Sequence, residues 1–370
     1  MFSFFFSVVY FSGGLVVSYL ILESIRNFIS TFNLFAPSKL RDLHSKPIPS
    51  FIGVGFIVLF LLGTFFYSKL IDVHIDYSVF LLCLLIITLI GVRDDVLEIS
   101  SKEKLLFQLI AINILLYANQ HLVIDHLHGF LGIYEIPFYF GYFFTCFIGV
   151  AVINSFNLID GIDGNAGVNA LISFVLFAVI FWTIENQAFL GICILMFSLV
   201  LGYLFINLRR VKKGFMGDTG SLFLGFMIFV MTILLMNSES VFLANILPSK
   251  SVLPLAPLSI FILPILDTLS VYSYRIKIGR SPFSPDNYHL HHLALKLFSR
   301  HHFTAALFLN GFVISFCLLF ALLSFNTPPL ISISLYFAFV FLLVVYSNRI
   351  RTKIRRRLGK KASDVVVFED

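Results

Sequence analysis

The residues best suited to chemistry lie in one segment of this 370-residue chain, residues 154–164. Oxygen-bearing side chains recur there at every third position, as Asn154, Asn157, Asp160 and Asp163. On a helix this spacing would place them on one face, until Gly161 and Gly164 interrupt the helix. Long apolar runs flank the segment on both sides. Placing acidic side chains between membrane-spanning runs costs free energy, so their presence indicates a functional site. Ligands that are all oxygen suit a hard cation such as Mg²⁺.

A pair of adjacent carboxylates, Asp94 and Asp95, follows Arg93 at the end of another apolar run. Two carboxylates can hold a metal ion or accept a proton at a phosphate centre. The alternative is a solvated helix end beside Arg93 and Lys102. Lys104, at the start of the next apolar run, either contacts a phosphate or contributes only a charge that sets membrane topology.

A third polar cluster, residues 217–221, opens a further apolar run with the sequence Gly-Asp-Thr-Gly-Ser. Asp, Thr and Ser are ordinary caps for the start of a helix. The free backbone amides of such a helix start also attract a phosphate, and Asp218 could share a cation with it. The basic run just upstream, residues 209–213, is interpreted mainly as a topology signal.

Three histidines end a loop rich in Ser and Pro, residues 281–292; they are His289, His291 and His292. No thiol accompanies them and the other acids suit Mg²⁺, so hydrogen bonding to a sugar or phosphate is favoured over zinc binding. A merely solvated loop is the remaining alternative. Far upstream, Lys46 lies in a segment stiffened by Pro47 and Pro49, where its charge is available to an anion.

The elements that must position these clusters are transmembrane helices. Hydrophobic residues make up 59% of the chain and charged residues 12%, and apolar runs recur at the length of a membrane span. We therefore predict an all-α polytopic membrane protein. Its spans, about eleven in number, cover roughly residues 2–22, 51–70, 78–92, 105–124, 138–154, 166–183, 188–206, 221–237, 252–274, 304–325 and 327–347.

The basic residues predict the orientation of these spans. All but two of the 26 Lys and Arg residues fall after the odd-numbered spans. The positive-inside rule then puts the N-terminus outside, the C-terminus in the cytoplasm and every polar cluster on the cytoplasmic side. The ninth span contains three prolines and is expected to be bent or broken. Residues 1–348 form the predicted membrane domain, and residues 349–370 a basic cytoplasmic tail that anchors to anionic lipid.

Taken together, these clusters resemble the polyprenyl-phosphate N-acetylhexosamine-1-phosphate transferase family in their order and spacing. The resemblance extends from His44 to His292. The run Asn-Leu-Ile-Asp-Gly-Ile-Asp-Gly at residues 157–164 and the histidine loop are most similar to the branch that handles N-acetylglucosamine. One departure is visible, because the family's Gly-Gly near the second span is Ile52-Gly53 here.

The resemblance implies roles for individual residues. Asp94 and Asp95 match the family's catalytic acidic pair, to which we add Asp160. Asn157 and Asp218 match positions that hold Mg²⁺, with Mn²⁺ as the alternative cofactor. The expected substrate-binding residues are Lys46, Lys104, Asn154, Asp163, Asp267, His289, His291 and His292. Two of them, Lys46 and Asn154, are our additions to those that the resemblance implies.

The activity that the resemblance implies is transfer of N-acetylhexosamine 1-phosphate, first of all N-acetylglucosamine 1-phosphate, from a UDP-sugar to polyprenyl (undecaprenyl) phosphate with release of UMP. The expected partners are these two substrates, the plasma or inner membrane and a second copy of the chain, since related enzymes can be homodimers. No nucleic-acid partner is expected.

Two alternatives stay open at this point. One is phospho-N-acetylmuramoyl-pentapeptide transferase-type activity. The other, from a different class, is a secondary transporter, since many spans, prolines within a helix and buried acids are also typical of transporters. Acids gathered at one membrane face, and the lack of a convincing internal repeat in the sequence, count against transport.

Overall fold

The computed structural model describes residues 4–32, 49–71, 78–238, 243, 247–282, 288–297 and 301–358. Lys46 therefore lies outside the described residues, as do residues 283–287 of the histidine loop and residues 359–370. The α-helices in the described part of the chain are α1 (Phe4–Thr31), α2 (Val54–Ile71), α3 (Ser78–Leu97), α4 (Ser101–Ala118), α5 (Phe138–Leu158), α6 (Asn165–Thr183), α7 (Gln187–Asn207), α8 (Gly217–Met236), α9 (Leu255–Ile260), α10 (Ile262–Lys277), α11 (Leu290–Leu297), α12 (His302–Asn326) and α13 (Pro329–Leu358).

The described helices are those of a multi-pass membrane protein. Seven of them are long and apolar enough to cross a membrane, and the bent pair α9–α10 would make an eighth. These seven are α1, α5, α6, α7, α8, α12 and α13. The second, third and fourth predicted spans coincide with α2, α3 and α4, which the same criteria do not select. Eleven crossings and their orientation stay predictions.

The predicted break in the ninth span is confirmed. The chain bends by 73° between Lys250–Ile260 and Ile262–Lys277. Pro264 has no backbone N–H, so it cannot bond the carbonyl of Ile260, which is the regular helical partner four residues earlier. Phe261, at the break, keeps its own helical bond to the carbonyl of Pro257 at 3.0 Å.

Helix α8 is the centre of the bundle, and almost all of its residues are buried. It packs against α3 and α5, and glycines let the backbones approach closely. A Cβ atom added to Gly91 of α3 would lie 2.5 Å from the Cα atom of Thr219. Because Asp95 follows Gly91 by one helical turn, this close approach brings the acidic pair to the start of α8.

A small hairpin corrects the prediction of an all-α fold. Strand β1 (His126–Phe130) pairs antiparallel with β2 (Ile133–Glu135) between α4 and α5. Its turn uses Gly129 and Gly132 at φ values of 88° and 83°, which glycine adopts without steric cost. Strands of this length are too short to show a clear alternation of apolar and polar residues, so the sequence does not reveal them. The hairpin precedes α5, whereas the 154–164 segment ends it, so the two lie roughly 30 Å apart along this helix.

Candidate functional site

Asp95 organises the start of helix α8. Its carboxylate accepts the backbone N–H groups of Asp218 at 2.8 Å and Thr219 at 3.0 Å, and the Thr219 hydroxyl at 2.6 Å. A Cβ atom on Gly217 would lie 2.5 Å from Asp95 Oδ2, so glycine is required at this contact. The prediction that the amides of this helix start are free to bind phosphate is therefore wrong for Asp218 and Thr219, because Asp95 already accepts both N–H groups.

Lys104 lies between two carboxylates that come from distant parts of the chain. Its ammonium group forms a short ion pair with Asp94 and lies 3.5 Å from Asp218 Oδ1. Asp94 also accepts the backbone N–H of Ile99 at 3.0 Å. Lys104 is largely buried, and Asp94 is buried. The alternatives of a solvated acidic pair and a lysine that serves only topology are therefore excluded.

The two predicted metal ligands are direct neighbours. The Asn157 amide donates to Asp218 Oδ1 at 2.5 Å and to the Ser221 hydroxyl at 2.7 Å. One turn earlier on α5, the Asn154 amide donates to Gln108 Oε1 of α4 at 2.6 Å and accepts from the Gln108 amide at 3.3 Å. Helix α5 ends at Leu158. Asn154 and Asn157 thus share a helical face, as predicted, while Asp160 and Asp163 follow in a turn.

This donor set fits Mg²⁺ that is shared with a substrate. The Asn157 amide and the Asp218 carboxylate are in direct contact, and the charges of Asp218, Asp95 and Asp163 act on nearby Asp160. Within the described residues, no three His, Cys, Asp or Glu side chains form a group that could hold a metal by themselves. Mg²⁺ is commonly bound by one or two protein ligands while substrate phosphates and water complete its octahedron. Among the described residues, the amide and the carboxylate are thus compatible with a metal ion shared with a substrate, but not with a cage made of protein alone.

The electrostatics of Asp160 show how strongly negative this end of the bundle is. Burial, together with the charges of Asp218, Asp95 and Asp163, raises the pKa of Asp160 to about 8. Neighbouring carboxylates repel one another in a partly dehydrated site, so the neutral form of one of them is favoured. A cation that approached this cluster would reverse the effect and favour ionisation.

Asp163 is paired with two residues that sequence reasoning did not assign to the site. Its carboxylate lies 2.9 Å from Lys213 Nζ and 3.6 Å from His302 Nδ1. Its backbone N–H donates to the same histidine nitrogen at 3.4 Å. The basic run that contains Lys213 was interpreted mainly as a topology signal, so its ion pair with Asp163 was not predicted. His302 carried no signal in the sequence, since it lies outside every motif.

The three histidines that end the loop are buried, and His291 packs against the glycine turn. His289, His291 and His292 are all buried, which excludes the solvated-loop alternative. A Cβ atom on Gly161 would lie 2.2 Å from His291 Nε2, so the ring rests against the turn where a side chain would otherwise be. His291 Nδ1 is buried and has no hydrogen-bond partner among the described residues. Burial and the neighbouring His292 hold the pKa of His291 well below its usual range.

Asp267 of helix α10 binds the chain at His289 and Leu290. Its carboxylate lies 2.9 Å from His289 Nδ1 and accepts the backbone N–H of Leu290 at 2.6 Å. Asp267 is 1% exposed, and these contacts engage both of its oxygens. The structure thus gives this acid a positioning role, and direct contact with substrate stays a prediction.

The predicted residues within the described part of the chain fall into two adjoining groups. The acidic centre comprises Asp94, Asp95, Lys104, Asn154, Asn157, Asp160 and Asp218. The histidine centre comprises Asp163, Asp267, His289, His291 and His292, with Lys213 and His302. The contact between Gly161 and His291 joins the two groups.

Comparison with known proteins assigns this chain to a family. The model of glycosyl transferase family 4 matches residues 77–236, which contain the whole acidic centre. The undecaprenyl-phosphate alpha-N-acetylglucosaminyl 1-phosphate transferase of Escherichia coli O157:H7 is 33% identical over 262 residues, 69% of this chain and 67% of its own. The protein of the same name from Salmonella typhi is 34% identical over 263 residues, with the same coverage of 69% and 67%.

A more distant relative agrees. The probable undecaprenyl-phosphate N-acetylglucosaminyl 1-phosphate transferase of Bacillus subtilis is 30% identical over 290 residues, 74% of each chain. The chain belongs to glycosyl transferase family 4. The resemblance drawn from the motifs is confirmed, and transferase names on all three relatives count against the transporter alternative.

Proposed function

We propose that this protein transfers N-acetylglucosamine 1-phosphate, or a closely related N-acetylhexosamine 1-phosphate, from a UDP-sugar to undecaprenyl phosphate and releases UMP. The observation that carries the proposal is the acidic centre, where Asp94, Lys104, Asn157 and Asp218 meet at one end of an apolar helical bundle. The names of the relatives support both the lipid acceptor and the sugar.

The reaction is one displacement at phosphorus. An oxygen of the lipid phosphate attacks the phosphorus that carries the sugar, the bond to the bridging oxygen breaks, and UMP leaves with the electron pair. Such transfers depend mainly on positioning and on neutralising charge. Asn157 and Asp218 would hold Mg²⁺ or Mn²⁺, and the chemistry that such an ion would supply is neutralisation of the negative charge on the diphosphate.

The residues of the acidic centre divide this work. Lys104 supplies a positive charge that Asp94 and Asp218 hold in place. Asp95 fixes Asp218 through the backbone of helix α8, so we propose that it acts by positioning the metal ligand. Asp94 and Asp160 are the carboxylates that we propose to orient the acceptor phosphate and keep it deprotonated.

The histidine centre is proposed to bind the donor. Imidazole nitrogens such as the buried Nδ1 of His291 can exchange hydrogen bonds with a sugar or phosphate. Lys213 adds a positive charge beside Asp163. Attractive contacts to the non-reacting part of a substrate raise its affinity and align its reacting phosphorus.

We propose a cytoplasmic active site in the plasma or inner membrane, in a chain that acts alone or as a homodimer. The asymmetry of basic residues supports this orientation through the positive-inside rule. One substrate is held in lipid and the other in water, so the reaction has to take place where the two phases meet. The apolar helices below the acidic centre give the polyprenyl tail a hydrocarbon environment.

The test is UMP release by purified protein supplied with undecaprenyl phosphate, Mg²⁺ and a panel of donors that includes UDP-N-acetylglucosamine and UDP-N-acetylmuramoyl-pentapeptide. We expect Asp218→Asn to lower turnover by roughly a hundredfold, because weakening a metal ligand removes transition-state charge stabilisation. Asp125→Asn, the same substitution beside the hairpin, is the matched control and should leave turnover unchanged. Undiminished release by Asp218→Asn would remove the metal role, and preference for the pentapeptide donor would favour the alternative activity.

A further inference from the structure

Helix α13 continues without a break past residue 349, the first residue of the predicted basic tail. It extends from Pro329 to Leu358. Two of its basic residues, Arg349 and Lys353, are exposed as a topology signal would be. Arg351 lies between them in the sequence but is only 1% exposed, and it is among the largest fully buried side chains of the protein.

The Arg351 guanidinium connects three parts of the structure. Its Nε donates to the backbone carbonyl of Tyr288 at 2.7 Å, and its Nη2 to the Ser270 hydroxyl of α10 at 2.9 Å. Its Nη1 donates within α13 to Asn348 Oδ1 at 3.0 Å and to the Ser347 hydroxyl at 3.2 Å. Burying a guanidinium is costly unless its donors are satisfied, so this arrangement indicates a specific requirement for arginine.

The carbonyl that Arg351 binds belongs to the residue immediately before His289. On the other side of His289, Asp267 of α10 binds the imidazole and the next backbone N–H. Ser270, the second partner of Arg351, lies one turn after Asp267 on the same helix. Asn348 adds a further bond from α13 to the Ser273 hydroxyl at 2.9 Å. The entry to the histidine loop is thus held between α10 and α13.

We infer that Arg351 is a positioning residue for donor recognition, acting through the Tyr288 carbonyl on the histidines that follow. The inference rests on the proposed function, since it assumes that this loop binds the sugar nucleotide. It assigns the last helix to the active-site architecture and not only to membrane anchoring. Removal of the guanidinium should let residues 288–292 move while the acidic centre keeps its geometry.

The experiment compares Arg351→Met, Arg351→Lys and the matched control Arg349→Met as purified full-length proteins. We expect Arg351→Met to raise the KM for UDP-N-acetylglucosamine by about tenfold or more, since hydrogen bonds from a charged group are lost. The KM for undecaprenyl phosphate should change less than about twofold. Arg351→Lys should restore part of the donor affinity, because an ammonium group can still reach some of the acceptors. Arg349→Met should resemble the unsubstituted protein.

Hydrogen exchange provides a second readout that needs no turnover. Peptides that cover residues 288–297 should exchange faster in Arg351→Met than in the unsubstituted protein or in Arg349→Met. Unchanged exchange there, or an equal rise in both KM values, would overturn the inference. If Arg351→Met fails to fold, Ser270→Ala removes one of the bonds, and the same differences are expected on a smaller scale. If the unsubstituted protein releases no UMP from any donor, the proposed function fails, whereas the exchange result still decides whether Arg351 holds the loop.

Discussion

Two buried aspartates, Asp95 and Asp267, each accept one or more backbone N–H groups at the start of a helix, but their electrostatic surroundings differ. Asp95 accepts backbone N–H groups at the start of α8, and Asp267 accepts the first N–H of α11 together with the His289 imidazole. Each carboxylate therefore fixes the beginning of a helix that carries functional side chains. Both satisfy donors that would otherwise be left unpaired away from water.

The difference lies in the neighbours of each aspartate. Asp218 lies beside Asp95, and Asp94 is adjacent in the chain, so negative charge accumulates in the acidic centre. The His289 imidazole contacts Asp267 and stacks on the His291 ring, so donors and acceptors without negative charge lie next to this aspartate. A buried aspartate thus fixes a helix start in two places, once beside the proposed cation site and once beside the proposed sugar-nucleotide site.

Exchanging each aspartate for its amide should separate the two centres most clearly. Asp95→Asn replaces one acceptor oxygen with a donor that faces the amides of α8, so we expect turnover to fall by roughly 10–100-fold and the Mg²⁺ requirement to rise. Asp267→Asn should act mainly on the donor, with a KM about tenfold higher and an unchanged Mg²⁺ requirement. The measurement is UMP release titrated separately with Mg²⁺ and with donor. An equal Mg²⁺ shift in both variants would mean that the two centres do not have separate roles.

The contact that joins the centres can be tested by adding one methyl group. In Gly161→Ala the new Cβ atom would have to displace the His291 ring, because the two would otherwise be 2.2 Å apart. We expect a donor KM several-fold higher and a loss of about 1–3 kcal/mol in the free energy of unfolding. Gly311→Ala is the control, since the Cβ position there meets no atom from outside its own stretch of helix α12 within 4 Å. Donor kinetics and thermal unfolding in detergent check both variants, and wild-type behaviour of Gly161→Ala would mean that the loop and the turn move independently.

The smallest expected effect concerns the charge beside Asp163. Lys213→Met removes an ion pair that is partly exposed, so we expect the donor KM to rise only a few-fold. Exposed Lys212 is the matched control, and Lys212→Met should have no effect. Higher salt should reduce the difference between the two variants, because screening weakens charge interactions near the surface. Equal KM values in both variants at low salt would remove Lys213 from the histidine centre.

Much of the site was predictable because its residues stand in local patterns. The three-residue spacing correctly placed Asn154 and Asn157 on one face of α5, although the helix ends before Asp160. Prolines predicted the bend in the ninth span. The catalytic role of Asp95 stays a prediction. Its contacts with two backbone N–H groups and the Thr219 hydroxyl of α8 were not foreseen, because no local pattern could reveal a partner more than a hundred residues away.

The sequence by itself determined the apolar helices, the polar clusters between them and the family, because each depends on residue types at short spacings. Tertiary structure alone decided which groups meet. Lys213 and His302 reach Asp163, and Arg351 reaches the Tyr288 carbonyl, only because helices from distant parts of the chain pack side by side. Glycines such as Gly91 and Gly161 set how closely they pack. A hydrophobic period records that a helix is buried but not which helix covers it, since apolar contacts are not directional.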